Sequence, residues 1–191
     1  VAGATSHTGT ILLAGFAGTL AGTVSMAMGE YVSVSSQHDA QEKVRREQSL
    51  ALEQNFDGEF KFVQKKYEDN GISEQLAMQA TREMMTKEPL VTTVRERFGF
   101  SLDNELSAKD AALASLISFP VGSILPMLAM YLSPKSSREW LTFFAVAIAL
   151  ALTGYVAAHL NGADKRHAAV RNVLAGIFTM VVTFAIGSLF R

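Results

Sequence analysis

The chain has 191 residues, of which 49% are apolar and 18% charged, and its formal net charge is −1. That balance supplies no basic field for nucleic acid, and the lack of cysteine excludes disulfides, thiolate metal sites and thiol nucleophiles. The charge is segregated: residues 33–110 hold 15 of the 18 acidic and 11 of the 17 basic side chains, a net of −4, and the flanks are nearly uncharged.

A bilayer core needs ~20 apolar residues as a helix, and residues 9–32 form the first stretch that qualifies. They are too long for the apolar core of a signal peptide and have no basic leader. Gly15, Gly18, Gly22, Met26 and Gly29 recur at helical spacing, so one face is lined with small residues that let another helix approach closely in lipid. Glu30 follows Met26 by four residues. An ionisable group inside a span is a functional-site hypothesis by default. A carboxylate suits hard ions and a thioether soft ones, so the pair points to a borderline first-row metal. A carboxylate at such a place can hold either a proton or a metal.

Residues 33–110 predict a small, acidic, mostly polar helical insert. One helix continues out of the span to about 56 and breaks at Asp57-Gly58. A second covers 59–69, with Phe60, Val63 and Tyr67 in register. Ser73 is the expected cap of a third, with Leu76, Ala80 and Met84 on its inner face, and Pro89 opens a fourth that closes near Gly99. The charges fit a solvated helix surface with pairs such as Asp39–Lys43. They fit equally a set of carboxylates collecting divalent cations, in which Met84 and Glu88 repeat the Met/Glu spacing of the first span. The insert contains no Glu-x-x-His pair of the di-iron bundle type, and the four histidines read as interfacial or surface residues. The apolar stripe is thin for a domain of this size, which leads to the expectation that it packs against a partner copy.

Ser107-x-x-Asp110 is a capping box that starts the C-terminal region, residues 111–190. This region contains three further spans, at 111–132, 140–160 and 168–190, joined by short loops with charge and breakers. Pro120 and Pro126 are expected to disturb the second span and free carbonyls that can face a cavity. The fold class is therefore an all-α membrane protein, with four transmembrane helices and a helical insert between the first and second. Residues 33–110 and the 161–171 loop share one side and hold 14 basic residues, against three (Lys135, Arg138 and Arg191) on the other. This places the insert in the cytoplasm. Both ends then lie outside, and a preceding N-terminal span is expected.

The run from Gly22 to Gln37, with Ser25-Met26-Ala27-Met28-Gly29-Glu30-Tyr31-Val32-Ser33 at its centre, resembles the second transmembrane helix of the vacuolar iron transporter family. The Ser118-Phe119-Pro120-Val121-Gly122 run and Pro126 are similar to that family's third helix, and the order span, insert, three spans is also similar. The resemblance implies a five-span homodimer that exports Fe²⁺, and also Mn²⁺, from the cytosol by proton-coupled antiport. The metal ion is the cargo, the lipid bilayer the surroundings, and no other cofactor, nucleic-acid partner or enzymatic step is expected. The membrane would be vacuolar in a eukaryote and plasma membrane in a bacterium. Met26 and Glu30 match the family's pathway, while Glu47, Glu53, Glu59, Met84 and Glu88 are the candidates for the insert's metal site. This chain starts at the family's second span. It also lacks the Glu-x-x-Glu pairs of the family's insert: Glu59 fits a first member, but Phe62 stands in the second place. A membrane-anchored metal-sensing or metal-storage protein is the alternative.

Overall fold

The computed structural model describes residues 1–102, 107–134 and 136–190. The described residues form six helices and no strand: α1 Thr8–Asp69, α2 Glu74–Lys87, α3 Pro89–Phe98, α4 Ala108–Leu132, α5 Arg138–Leu160 and α6 Lys165–Ser188. Four of them, α1, α4, α5 and α6, are long and apolar enough to cross a bilayer. The described residues thus form an all-α membrane fold with four candidate spans. It divides into two compact units, one of Val1–Ala27 with Leu113–Arg191, the other Met28–Ala112.

In the first unit, glycine sets the helix spacing. Gly22 and Gly15 of α1 face α4: a side chain at Gly22 would meet the Phe119 ring at 2.5 Å, and one at Gly15 would touch Met127 at 3.8 Å. The residue order reverses between the two helices, as antiparallel packing requires. Thr19 adds a contact from Oγ1 to Met127 Sδ at 3.8 Å. Gly18 has open space beside it, so only part of the small-residue face is used within the chain. Helices α5 and α6 form a tight hairpin around Gly154 and Ala158, both buried. A Cβ on Gly154 would lie 2.8 Å from the Ala168 carbonyl oxygen and 2.9 Å from the Ala169 Cα. Gly162, with φ 68°, ends α5 in the left-handed conformation. Asp164 then caps α6, accepting from the Arg166 and His167 N–H groups at 2.8 and 3.0 Å. Those bonds hold its carboxyl below the usual range. The buried Arg138 ties α5 to the start of α1 by donating to Thr8 Oγ1 at 2.9 Å.

In the second unit, the break in α1 falls at Asn55 (φ −151°, ψ 64°), two residues before the Asp57-Gly58 position expected from sequence. The cause is capping: Asn55 Oδ1 accepts from the Gly58 N–H at 3.0 Å, restarting the helix beyond it. Gly58 matters by leaving room, since a Cβ there would lie 2.3 Å from the Asn55 amide. The turn is sharp. Gln48 Nε2 donates to Glu59 Oε2 at 2.7 Å, whereas a straight helix would hold residues eleven apart about 16 Å from each other.

Helix α2 corrects the expected inner face by one residue. Ala77, Thr81 and Met85 are buried, while Leu76 is 57% exposed. Val63 of α1 and Val94 of α3 are fully buried as well, as are Thr92 and Thr93. Threonine is tolerated there because its hydroxyl bonds back along the helix, as Thr93 Oγ1 does to the Pro89 carbonyl at 2.8 Å. Ser73 stands at the α2 N-cap with extended backbone but makes no side-chain cap bond. Ser107 does cap α4, accepting from the Asp110 N–H at 3.2 Å. Helix α4 runs through Pro120 and Pro126. Neither has an N–H, so the carbonyls of Leu116 and Gly122, four residues earlier, lose their helical donors.

The α5–α6 contact gives a test. Gly154→Ala should destabilise the purified protein by roughly 1–3 kcal/mol, because backbone must move to admit the methyl. Gly122→Ala, beside which there is open space, should leave the midpoint of denaturant unfolding where it is.

Candidate metal path and acidic insert

Met26 and Glu30 stand one helical turn apart on α1, which runs without a break from Thr8 to Asn55. Met26 is 48% exposed in the single chain, and Glu30 is exposed as well. Residues 8–29 carry no charge, so Glu30 is the first ionisable side chain on the helix.

The insert candidates are dispersed. Glu47 lies on the surface, paired with Lys43 at 3.7 Å. Its neighbour Glu42 pairs with Arg45 and Arg46 at 3.6 and 3.4 Å. Glu53 is exposed. Glu88 is exposed too and is the C-cap of α2, its N–H donating to the Met84 carbonyl at 2.9 Å. A cavity of about 380 Å³ lies elsewhere in this unit, lined by residues that include Tyr31, His38, Asp39 and Lys109. Among the described residues, no three His, Asp or Glu side chains come together in a way that could hold a metal ion.

Glu59 and Met84 are each engaged by an arginine of α3. Arg97 Nη2 reaches both Glu59 carboxylate oxygens, at 3.0 and 2.9 Å. The buried Gln48 donates to the same carboxylate from the first half of α1. The Arg97 guanidinium also lies over the Phe62 ring, 3.8 Å from its centroid. Phe62, at the place where the resemblance leads one to expect a second carboxylate, thus supports the cation that pairs with Glu59.

Two residues on, Arg95 does the corresponding work at Met84. Its Nη2 is 3.4 Å from Met84 Sδ, and its Nε is 3.1 Å from Glu96 Oε1. The Tyr67 hydroxyl lies 2.9 Å from Glu96 Oε1 and 3.7 Å from Met84 Sδ. Lys66 pairs with Glu96 Oε2 at 3.4 Å and also donates to the Glu96 backbone carbonyl. Burial alone would raise the Glu96 pKa, but the donors Tyr67, Arg95 and Lys66 outweigh it and hold the carboxyl below its usual range. Sequence reasoning missed Glu96. Its only signal is the Arg95-Glu96-Arg97 run, which looks like any solvated surface.

The sequence pattern of the VIT family matches residues 1–188. The chain belongs to the VIT family. It is 30% identical over 190 residues to the vacuolar iron transporter of Acanthamoeba castellanii, which covers 97% of this chain and 72% of that protein. It is 29% identical over 175 residues to vacuolar iron transporter homolog 4 of Arabidopsis thaliana, covering 91% and 65%. Against vacuolar iron transporter homolog 2 of Oryza sativa subsp. japonica it is 26% identical over 181 residues, covering 94% and 74%. In this VIT-family chain, then, Glu59 and Met84 sit among side-chain cations and hydroxyls supplied by the insert itself.

The Glu96 arrangement has a pH signature. Its folded pKa is depressed, so its stabilising contribution is complete above the unfolded carboxyl range and is lost as pH falls through the folded value. The ¹³C-methyl NMR signal of Met84 should therefore move in an acid transition below the ordinary glutamate range. Glu96→Gln should abolish that transition.

Proposed function

We propose that this chain moves divalent iron across a bilayer as a transporter rather than an enzyme. What carries the reading is one helix of a VIT-family chain: α1 is apolar from Thr8 to Gly29 and then presents Glu30 one turn after Met26. A thioether and a carboxylate at that spacing are a mixed soft and hard donor pair, suited to Fe²⁺ and Mn²⁺ more than to Mg²⁺ or Ca²⁺. The names of the relatives support iron as the cargo.

The finer reading is proton-coupled antiport out of the cytosol. Glu30 would take a proton from one side and release it when metal arrives. Both path residues are exposed in the single chain, and a second copy packed on the open part of the glycine face near Gly18 would enclose them. The working unit is accordingly a homodimer. The excess of basic residues on the insert side supports a cytoplasmic position for residues 33–110, where Glu47, Glu53, Glu59, Met84 and Glu88 would collect metal. The membrane is vacuolar in a eukaryotic host and plasma membrane in a bacterial one.

Purified protein in liposomes, loaded with a fluorophore quenched by Fe²⁺ and given a pH gradient of either sign, tests this directly. Quenching should follow the gradient. It should fall at least about tenfold in Met26→Ala and in Glu30→Ala, a rise of roughly 1.4 kcal/mol or more in the rate-limiting barrier. Folded protein that binds metal but carries no flux would contradict transport and favour the sensing or storage role.

A further inference from the structure

Arg138 is the only buried charged side chain among the described residues, at 7% exposure. Its Nη1 donates to Thr8 Oγ1 at 2.9 Å. Its Nε is enclosed and has no hydrogen-bond partner, and no carboxylate of the described residues pairs with the guanidinium. Glu139, next in sequence, is exposed. One turn along the same face of α5, Thr142 Oγ1 is likewise enclosed and unpartnered. An arginine does not give up its proton, so burial cannot be relieved by neutralisation. A buried charge without a counter-ion is strongly destabilising.

The surroundings add to the positive potential. Helix α1 begins at Thr8 and α5 at Arg138, so the Arg138–Thr8 bond joins two helix N-termini. Ser137, the N-cap of α5, makes no side-chain bond to the first N–H groups. Helix N-termini favour anions through these N–H groups and the helix dipole. The same end of α5 carries Trp140, 68% exposed, with its ring 6.4 Å from that of Phe143. An exposed Trp at the end of an apolar span belongs at the depth of the lipid headgroups.

We infer that Arg138, with Thr8 and Thr142, forms a site for a phosphate group, supplied by a phospholipid headgroup at the end of the span. The bond to Thr8 uses Nη1 and leaves the Nε–Nη2 edge of the guanidinium, the fork that matches two phosphate oxygens. Thr8 Oγ1 accepts from Arg138, so its own proton is available to a third oxygen. Ser137 is half-buried and Glu139 exposed, so the guanidinium lies close beneath the surface and a side-chain rotation opens that edge. A bound phosphate supplies the missing counter-ion and fastens the start of α1 to the start of α5.

Thermal unfolding and native mass spectrometry of the delipidated full chain in a neutral detergent test the inference. The additives are phosphatidylglycerol, a galactolipid with the same acyl chains, and inorganic phosphate. Phosphatidylglycerol should raise the unfolding temperature and remain bound, and the galactolipid should do neither. Arg138→Met should bind phosphatidylglycerol about tenfold more weakly, the loss expected for a charge-assisted pair. Without lipid it should unfold no earlier than the parent, because the uncompensated charge is gone. A merely structural arginine would show the reverse, a loss of stability in every additive. Arg138→Lys keeps the charge without the fork and should also bind the phospholipid more weakly, which covers a failure of Arg138→Met to fold. Stabilisation by inorganic phosphate alone would keep the phosphate site and make the free ion its occupant. Equal stabilisation by both lipids, or a phospholipid effect that survives Arg138→Met, overturns the proposal. So does stabilisation that follows protein concentration instead of phosphate, which would put a carboxylate of a second copy on Arg138.

Discussion

A charged side chain at the centre of a bilayer costs at least about 2.5–3.5 kcal/mol. With 35 acidic and basic residues to place, the chain puts 26 of them in residues 33–110 and leaves α4, α5 and α6 charged only within their first two turns. Helix ends tolerate those charges because they reach water, and Asp164 turns one of them into a cap. The apolar remainder cannot separate from lipid by hydrophobicity alone, so the helices are joined by close packing at glycine. Gly22 against Phe119 and Gly154 against Ala168 and Ala169 are the places where that is visible.

The insert solves a different problem. It has few large apolar residues to bury, and its core of Val63, Ala77, Met85 and Val94 is small. Two arginines of α3 do what a larger core would do elsewhere. Arg97 joins α3 to Glu59 and Phe62, and Arg95 joins it to Met84 and Glu96. A charge-assisted bond to a half-buried carboxylate is stronger than a neutral one. The same bonds engage Glu59 and Met84, so any other ligand of these two side chains must compete with Arg97 and Arg95.

Much of the helix layout is legible in sequence, because hydrophobic length and breakers are local signals. The ends of α4, α5 and α6 follow from apolar run length, and Pro89 and Gly99 bound α3 as expected. The misses are tertiary. Asn55 breaks α1 because its side chain reaches Gly58, although Asp57-Gly58 is the stronger sequence signal. The inner face of α2 shifts by one residue because Thr81 is buried, whereas periodicity counts it as polar. The pairing of Glu59 with Arg97, 38 residues away, leaves no local signal in the sequence. The four-residue spacing of Met26 and Glu30 is legible because both lie on a single helix.

The central claim is that iron passes along α1 at Met26 and Glu30. Iron K-edge X-ray absorption on protein loaded anaerobically with one equivalent of Fe²⁺ measures that contact. The account predicts a sulfur neighbour to iron that disappears in Met26→Leu. A first coordination shell made only of oxygen and nitrogen, or a sulfur signal untouched by Met26→Leu, would contradict it.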